Sequence, residues 1–398
     1  ICVRKPKELP MNSHEAENLF KLTPLEHDLT QRLQQVIQSE IAACNGVISF
    51  SRYMELALYY PGLGYYSNPL FKFGEQGDFV TSPLISNLFG QLLARQLSEL
   101  FSFGVKPQIL EFGAGNGKLA ADILQALGEK IEHYYILELS ADLVQWQAET
   151  IRQQVPQFMA KVVWLTGLPE QFEGVMLANE VLDAQPCNLV AFDNGAITGV
   201  GVTHDATGFH YTNYPLDSES LALAQELDLP YADYLTEVNL ASRGFMRSLA
   251  TSLKHGAILL IDYGYGESEY YHPEKTRGTL RGFYRQHVLN DVLQYPGLID
   301  ITTSVNWTSI VTTSTSNDLD FIGYTNQAGF LFNCGLAAAM LNLQAELQNN
   351  EYLAVSNQIN KLISPTEMGE SFKVCGFSKG LEQDNWLGFT DYDKSYSL

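Results

Sequence analysis

Four short stretches of this sequence place glycines or polar residues where apolar runs end, and each carries side chains able to hold or handle a small ligand. The first is Glu111-Phe112-Gly113-Ala114-Gly115-Asn116-Gly117-Lys118. Glycines at alternate positions let a backbone turn sharply and approach a ligand, and a helix starting after them offers free N–H groups to a carboxylate or phosphate. A P-loop would need glycine where Phe112 stands and Ser or Thr where Leu119 stands, and a dinucleotide fingerprint would need its third glycine at Lys118. The second is Glu138, followed by Ser140 in LELSADL. It lies about 20 residues past the glycines, the interval at which a carboxylate takes hydrogen bonds from ribose hydroxyls; a solvated carboxylate at a helix start is the plainer reading. The third is Asn179-Glu180-Val181-Leu182-Asp183. A carboxylate there could grip a nitrogen nucleophile and accept its proton, or the segment is a helix N-cap with Asp183 in the first turn. The fourth is Ile261-Asp262-Tyr263-Gly264-Tyr265, followed by Lys275, Arg277, Arg281 and Arg285, which form either a lid or carboxylate-binding loop or a solvated surface.

These residues can act together only if the chain lines them up. Continuous apolar runs at 109–112, 134–139, 162–165, 175–178 and 257–261 read as parallel strands covered on both faces. Leu119, Ile123, Leu124 and Leu127 form one helix face between the first two, and Val144, Ala148, Ile151 and Val155 form another after the second. Strand and helix in alternation predict the α/β class, with a mostly parallel, doubly wound sheet and right-handed crossovers. Ligands in such sheets bind beyond the carboxyl ends of the strands, so Gly113, Glu138, Asn179 and Glu180 should face one crevice. Upstream, Thr23-Pro24-Leu25-Glu26 is a helix start, predicting a helix to about Gly46 and, after turns near Pro61 and 74–77, a second helix reaching Leu100. Residues 188–214 read as hairpin material, and 372–377 as a last strand. The expected organisation is a tail over 1–22, a helical and loop region over 23–104 packing on the core, and a core over 105–398 with insertions near 187–235 and 264–300.

With 398 residues, 45% hydrophobic and 17% charged, the chain has globular composition. Asp and Glu total 45 against 24 Lys and Arg, a formal net charge of −21 that disfavours nucleic acid and favours basic proteins or neutral small molecules. The five cysteines show no CxxC or Cys/His pairing at ligand spacing, so free thiols in a reducing compartment and no metal site are expected. No apolar run approaches the roughly 20 residues that span a bilayer, and the expected location is the cytoplasm, or the mitochondrial matrix for a eukaryotic source.

An acidic residue two positions before G-x-G-x-G is the pattern of S-adenosylmethionine (SAM) methyltransferases. Together with LYYPGLGYY, GEQGDFVTSP, LELS, NEVLDAQP, IDYGY, GTLRGF, PGLIDITTSVNW and MGESFKVCGFSKG, from about residue 48 to 380, the sequence resembles the MidA family. That family includes the mitochondrial complex I assembly protein-arginine methyltransferase and bacterial relatives. The resemblance implies a class I (Rossmann-like) fold, SAM as cofactor, no metal, and symmetric dimethylation of an arginine on a protein client, a complex I subunit in the mitochondrial member. On this reading Gly113, Gly115 and Gly117 admit the methionine moiety, Glu138 holds the ribose, Asn179 lies near the cofactor's amino-acid or methyl end, and Glu111, Ala114 and Ser140 complete the cofactor-binding set. Glu180 is the first candidate for pairing with the acceptor guanidinium, with Asp183, Tyr263 and Asp78 on the same wall. The family usually has His and Asp-Phe where this chain has Thr303-Ser304-Val305-Asn306-Trp307. Two other classes stay open: a nicotinamide-dependent oxidoreductase, disfavoured by the shifted third glycine, and a noncatalytic assembly factor using its acidic surface.

Overall fold

The computed structural model describes residues 21–68, 70, 81–227, 229, 233–285 and 287–398. Helix α1 (Pro24–Ala43) begins as a capping box. Glu26 N–H donates to Thr23 Oγ1 at 3.3 Å, and Thr23 N–H donates to the Glu26 carboxylate at 2.7 Å. Helices α2 (Phe50–Tyr59) and α3 (Asn87–Ser102) follow. The alternating core then runs β1 (Gln108–Phe112), α4 (Lys118–Leu127), β2 (His133–Leu137), α5 (Ala141–Gln154), β3 (Val162–Leu165) and β4 (Phe172–Asn179). An antiparallel excursion, β5 (Asn188–Asp193), β6 (Ala196–Asp205), β7 (Gly208–Tyr214) and β8 (Tyr234–Val238), precedes α6 (Leu240–Ser252) and β9 (Leu253–Tyr265). Strands β10 (Arg281–Tyr284), β11 (His287–Leu289) and β12 (Asp300–Thr302) come next, then α7 (Trp307–Thr315), β13 (Asp320–Asn326), helices Gln327–Asn333, Leu336–Glu346 and Asn349–Ile363, and β14 (Phe372–Lys379).

The central sheet has the order β13-β14-β9-β4-β1-β2-β3. Strands β9, β4, β1, β2 and β3 are mutually parallel; β14 runs antiparallel to both of its neighbours. After β1 the chain builds outward through β2 and β3, then returns to lay β4 on the other side of β1, so a crevice opens where the order reverses. Register fixes what stands there: Phe112 is level with Ala178, and Asn179 with Ile261. The strands alternate between two buried faces, as continuous apolar runs require. Ile109, Tyr134, Val175 and Leu259 pack on the side of α3 and α4, while Leu110, Met176, Ile258 and Leu260 pack with Met246 of α6 and Trp307 of α7.

Helices α1 and α2 bury Leu33, Ile37, Tyr53 and Leu58 against Leu189 and Val202 of the antiparallel excursion and Tyr284 and Ile301 of the small sheet β12, β10 and β11. That small sheet lies in the Tyr- and Gly-rich stretch past Gly264, where alternation is too weak to announce strands. Two expectations shift locally. Strand β2 stops at Leu137 rather than at 139, leaving Glu138 and Ser140 in the turn, and α5 buries Gln147 fully where the apolar pattern pointed to Val144 and Ala148. No single helix among the described residues is long and apolar enough to cross a membrane.

Candidate active site

Beyond β1 the backbone passes through Gly113, Gly115 and Gly117 with φ of 62°, 55° and 84°, all in the left-handed region where side chains are strained. Gly117 is also required by packing. A Cβ there would lie 2.9 Å from Gln147 Cα and 3.1 Å from its carbonyl oxygen, so the third glycine lets the turn rest directly on α5. Glu111 is buried and accepts the Tyr134 O–H at 2.8 Å; burial pushes its pKa up to about 7 against that hydrogen bond. Lys118 turns back to pair with Asp122 on its own helix.

Glu138 accepts the Ser140 N–H at 2.9 Å and the Gln147 Nε2–H at 3.0 Å. The same Gln147 amide nitrogen donates to Gly115 O at 3.0 Å, and Gln147 Oε1 accepts the Trp164 Nε1–H at 2.9 Å. One buried glutamine thus joins the glycine turn, the carboxylate after β2, and β3. Sequence reasoning passed over it. The available signal was a single amide on the helix face that also carries Ile151.

At the end of β4, Glu180 adopts φ of 55° while its N–H donates to Ile261 O at 2.8 Å. This reversal aims the next three N–H groups, of Val181, Leu182 and Asp183, at Asp262 Oδ2 at 3.1, 2.8 and 3.2 Å, and Tyr263 N–H donates to Asp262 Oδ1 at 2.9 Å. The helix N-cap reading of this segment is therefore wrong: no helix follows, and a carboxylate from β9 rather than a helix satisfies these donors. Asp262, a strand-end carboxylate in the sequence, builds the turn that presents Glu180. Thr303 N–H donates to Asp183 O at 2.9 Å, so the segment that departs from the MidA pattern braces this turn from behind.

Three carboxyl groups crowd here. Burial, then the charge of Asp183, pushes Glu180 up to about 8, against a 3.1 Å hydrogen bond from Asn179 Nδ2. Burial lifts Asp183 to about 7 while a hydrogen bond with Tyr263 pulls it down. Asp262 is raised by burial and then by both neighbours, yet all four N–H groups on it are donors, which favour the anion. The groups titrate as a set, and Glu180 and Asp183 have fewer donors with which to resist protonation. Asn179 Oδ1 is buried with no hydrogen-bond partner among the described residues.

The glycine turn and the Glu180 turn open into one cavity of about 460 Å³. Glu111, Gly113, Ala114, Gly115, Glu138, Ser140, Asn179 and Glu180 line it, together with Tyr59, Tyr66 and Pro83. Gly117 sits behind the turn; Asp183 and Tyr263 stand behind the wall, Tyr263 Oη lying 2.6 Å from Thr302 Oγ1. Asp78 lies outside the described residues. The basic run does not reach the cavity: Arg277 pairs with Asp233 at 3.3 Å, Arg285 with Glu26 at 3.0 Å, and Lys275 covers the Tyr265 ring. Its reading as a lid or carboxylate-binding loop at this site is corrected accordingly.

Residues 92–325, more than half of the chain, match the family model described as "Putative S-adenosyl-L-methionine-dependent methyltransferase". The chain belongs to this family. A COG1565 superfamily protein from Burkholderia thailandensis, solved bound to S-adenosyl-homocysteine, has 39% identity and a TM-score of 0.89, covering 95% of this methyltransferase and 99% of that chain. Relatives named "Protein arginine methyltransferase NDUFAF7, mitochondrial" include one from Danio rerio, 29% identical over 372 residues, covering 85% of this chain and 84% of the relative. Another, from Homo sapiens, is 27% identical over 387 residues, covering 88% and 83%.

The residues present suit SAM, which offers a carboxylate, an ammonium and a ribose diol. The α4 N-terminus carries N–H donors, Glu138 presents to the cavity a carboxylate of the kind a diol would donate to, and Asn179 Oδ1 has no donor among the described residues. Gln147→Leu keeps the volume but releases Glu138, Gly115 O and Trp164 at once. Calorimetry with S-adenosyl-homocysteine should show affinity falling about tenfold, as when a partner that orients ligating groups is lost, with the melting temperature lowered modestly.

Proposed function

We propose that the methyltransferase acts on an arginine side chain of a protein client, with Glu180 as the group that receives it. The supporting observation is Glu180 itself: a carboxylate on a backbone-strained turn, facing the same cavity as the glycine turn and anchored from behind by Asp262. When bound, SAM supplies a methyl group already activated as a sulfonium. The protein's part is then positioning. Gly113, Ala114 and Gly115 admit the methionine end, Glu138 and Ser140 hold the ribose, and Asn179 Oδ1 takes the ammonium.

A guanidinium is fully protonated at neutral pH and a poor nucleophile. Pairing with Glu180 draws that carboxyl into its ionised form, aligns one nitrogen, and gives its proton an acceptor as the N–C bond forms. Asp183 and Tyr263, set behind the cavity, act by holding the turn and its charge. An acidic chain of net charge −21 complements a basic client. The relatives named arginine methyltransferases support the acceptor class, and the MidA resemblance points to a complex I-type subunit.

Incubation with isotopically labelled SAM and a cell extract, followed by residue-resolved mass spectrometry, tests this reading. Label on arginine nitrogens of a protein is the expected result. Label confined to lysines, carboxylates, nucleic acid or a small metabolite would overturn it.

A further inference from the structure

In the lining of the same cavity, Tyr59 at the end of α2 and Tyr66 lie stacked, ring centroids 5.4 Å apart with planes inclined by 22°. Both hydroxyls are engaged by protein acceptors. Tyr59 O–H donates to Ala184 O at 2.9 Å, and Tyr66 O–H donates to Asp300 Oδ1 at 2.8 Å. What the two residues contribute to the lining is therefore mainly ring surface.

The pair is built to stay in place. Tyr65 and Tyr66 N–H groups donate to Ala57 O and Leu58 O at 2.9 and 2.8 Å, folding the loop back onto α2, and the Tyr65 ring meets Tyr66 edge-on at 5.2 Å. Ala184, which anchors Tyr59, belongs to the turn that begins at Glu180, so the aromatic wall and the carboxylate are registered through one loop. Asp300 is buried, and its contact with the Tyr66 hydroxyl enriches that ring in electron density. Burial, then Asp183 and Asp300, holds the Tyr59 phenol well above its ordinary range, so it stays neutral.

A cavity lined by two tyrosine rings and the Glu180 carboxylate suits a flat, delocalised, weakly hydrated cation. It suits a compact ammonium less, since a tetrahedral, strongly hydrated head needs several acceptors. We infer that Tyr59 and Tyr66 form the acceptor slot and select a planar guanidinium over an ammonium. The inference rests on the arginine reading above and deepens it, assigning specificity to residues on α2 and its following loop rather than to the cofactor wall.

The test uses the full chain saturated with S-adenosyl-homocysteine, titrated with N-acetyl-arginine methylamide and, separately, the lysine analogue, with binding read by NMR or calorimetry. The wild type should bind the arginine probe more tightly than the lysine probe. Tyr66→Leu and Tyr59→Leu should each weaken the arginine probe about tenfold, Tyr66→Phe should stay within about threefold, and S-adenosyl-homocysteine affinity should not change. Arginine binding equal to wild type in both leucine variants, or no wild-type preference between probes, would overturn the slot. Retained S-adenosyl-homocysteine binding shows that a variant is folded; should one leucine variant fail that check, the other decides. The labelled-methyl experiment separates the two ideas. Label on arginine with unaffected leucine variants removes only the slot, and label elsewhere removes the arginine reading and the slot with it.

Discussion

Glu180→Gln lowers methyl transfer by roughly a hundred- to ten-thousand-fold while S-adenosyl-homocysteine still binds within a few-fold of wild type. The substitution is isosteric, keeps an acceptor oxygen for Asn179 Nδ2, and leaves the Ile261 and Asp262 contacts of the turn intact. What it removes is the charge that pairs with the acceptor and the oxygen that accepts its proton. The pH dependence carries the sign. Glu180 is raised from 4.5 to about 8, so its ionised fraction in the free protein grows with pH, and wild-type kcat/KM should rise through the neutral range and level off above about 8. The residual activity of the glutamine variant lacks that limb.

Stability should move oppositely. A carboxyl whose pKa is higher folded than unfolded binds its proton more tightly in the native state. Its contribution is therefore complete below about 4.5 and is lost as pH rises towards about 8. The melting temperature of Glu180→Gln relative to wild type should accordingly increase between pH 5 and pH 8, read by differential scanning calorimetry.

Gly117→Val should cost on the order of a hundredfold or more in S-adenosyl-homocysteine affinity and lower the melting temperature. Two penalties combine. A β-branched residue at φ of 84° is strained by about 1–3 kcal/mol, and its Cβ would sit 2.9 Å from the Gln147 backbone. Relief requires α5 to retreat, and α5 carries the amide that holds Glu138 and Gly115 O. Gly195→Ala is the matched control. Gly195 has φ of 82° with nothing within 4 Å of a Cβ, so it reports backbone strain alone and should leave cofactor binding unchanged.

The parallel strands were legible because each is a continuous apolar run, buried on both faces in the central strands β1, β4 and β9, and their carboxyl ends located Gly113, Glu138, Asn179 and Glu180 at one edge. The capping box at Thr23 and the hairpin stretch over 188–214 were equally plain, because local chemistry decides them. Contacts made across the fold were not. Gln147 reads as an ordinary helix amide until α5 is packed on the glycine turn. Asp262 reads as a strand-end carboxylate until the turn after β4 brings three N–H groups to it. Tyr59 and Tyr66 are two tyrosines in a tyrosine-rich stretch until the loop folds back on α2. The basic run drew attention for its charge, yet long side chains pair with whatever carboxylate is nearest, and Asp233 and Glu26 were nearer than the cavity.

The decisive comparison is transfer of labelled methyl from saturating SAM to a client-containing protein fraction by wild type and by Glu180→Gln, with the labelled residue located by mass spectrometry. Label on arginine with the wild type, and its near-complete loss in a variant that still binds S-adenosyl-homocysteine, is the predicted result. Transfer at the wild-type rate by Glu180→Gln, or label on any other residue type, would contradict it.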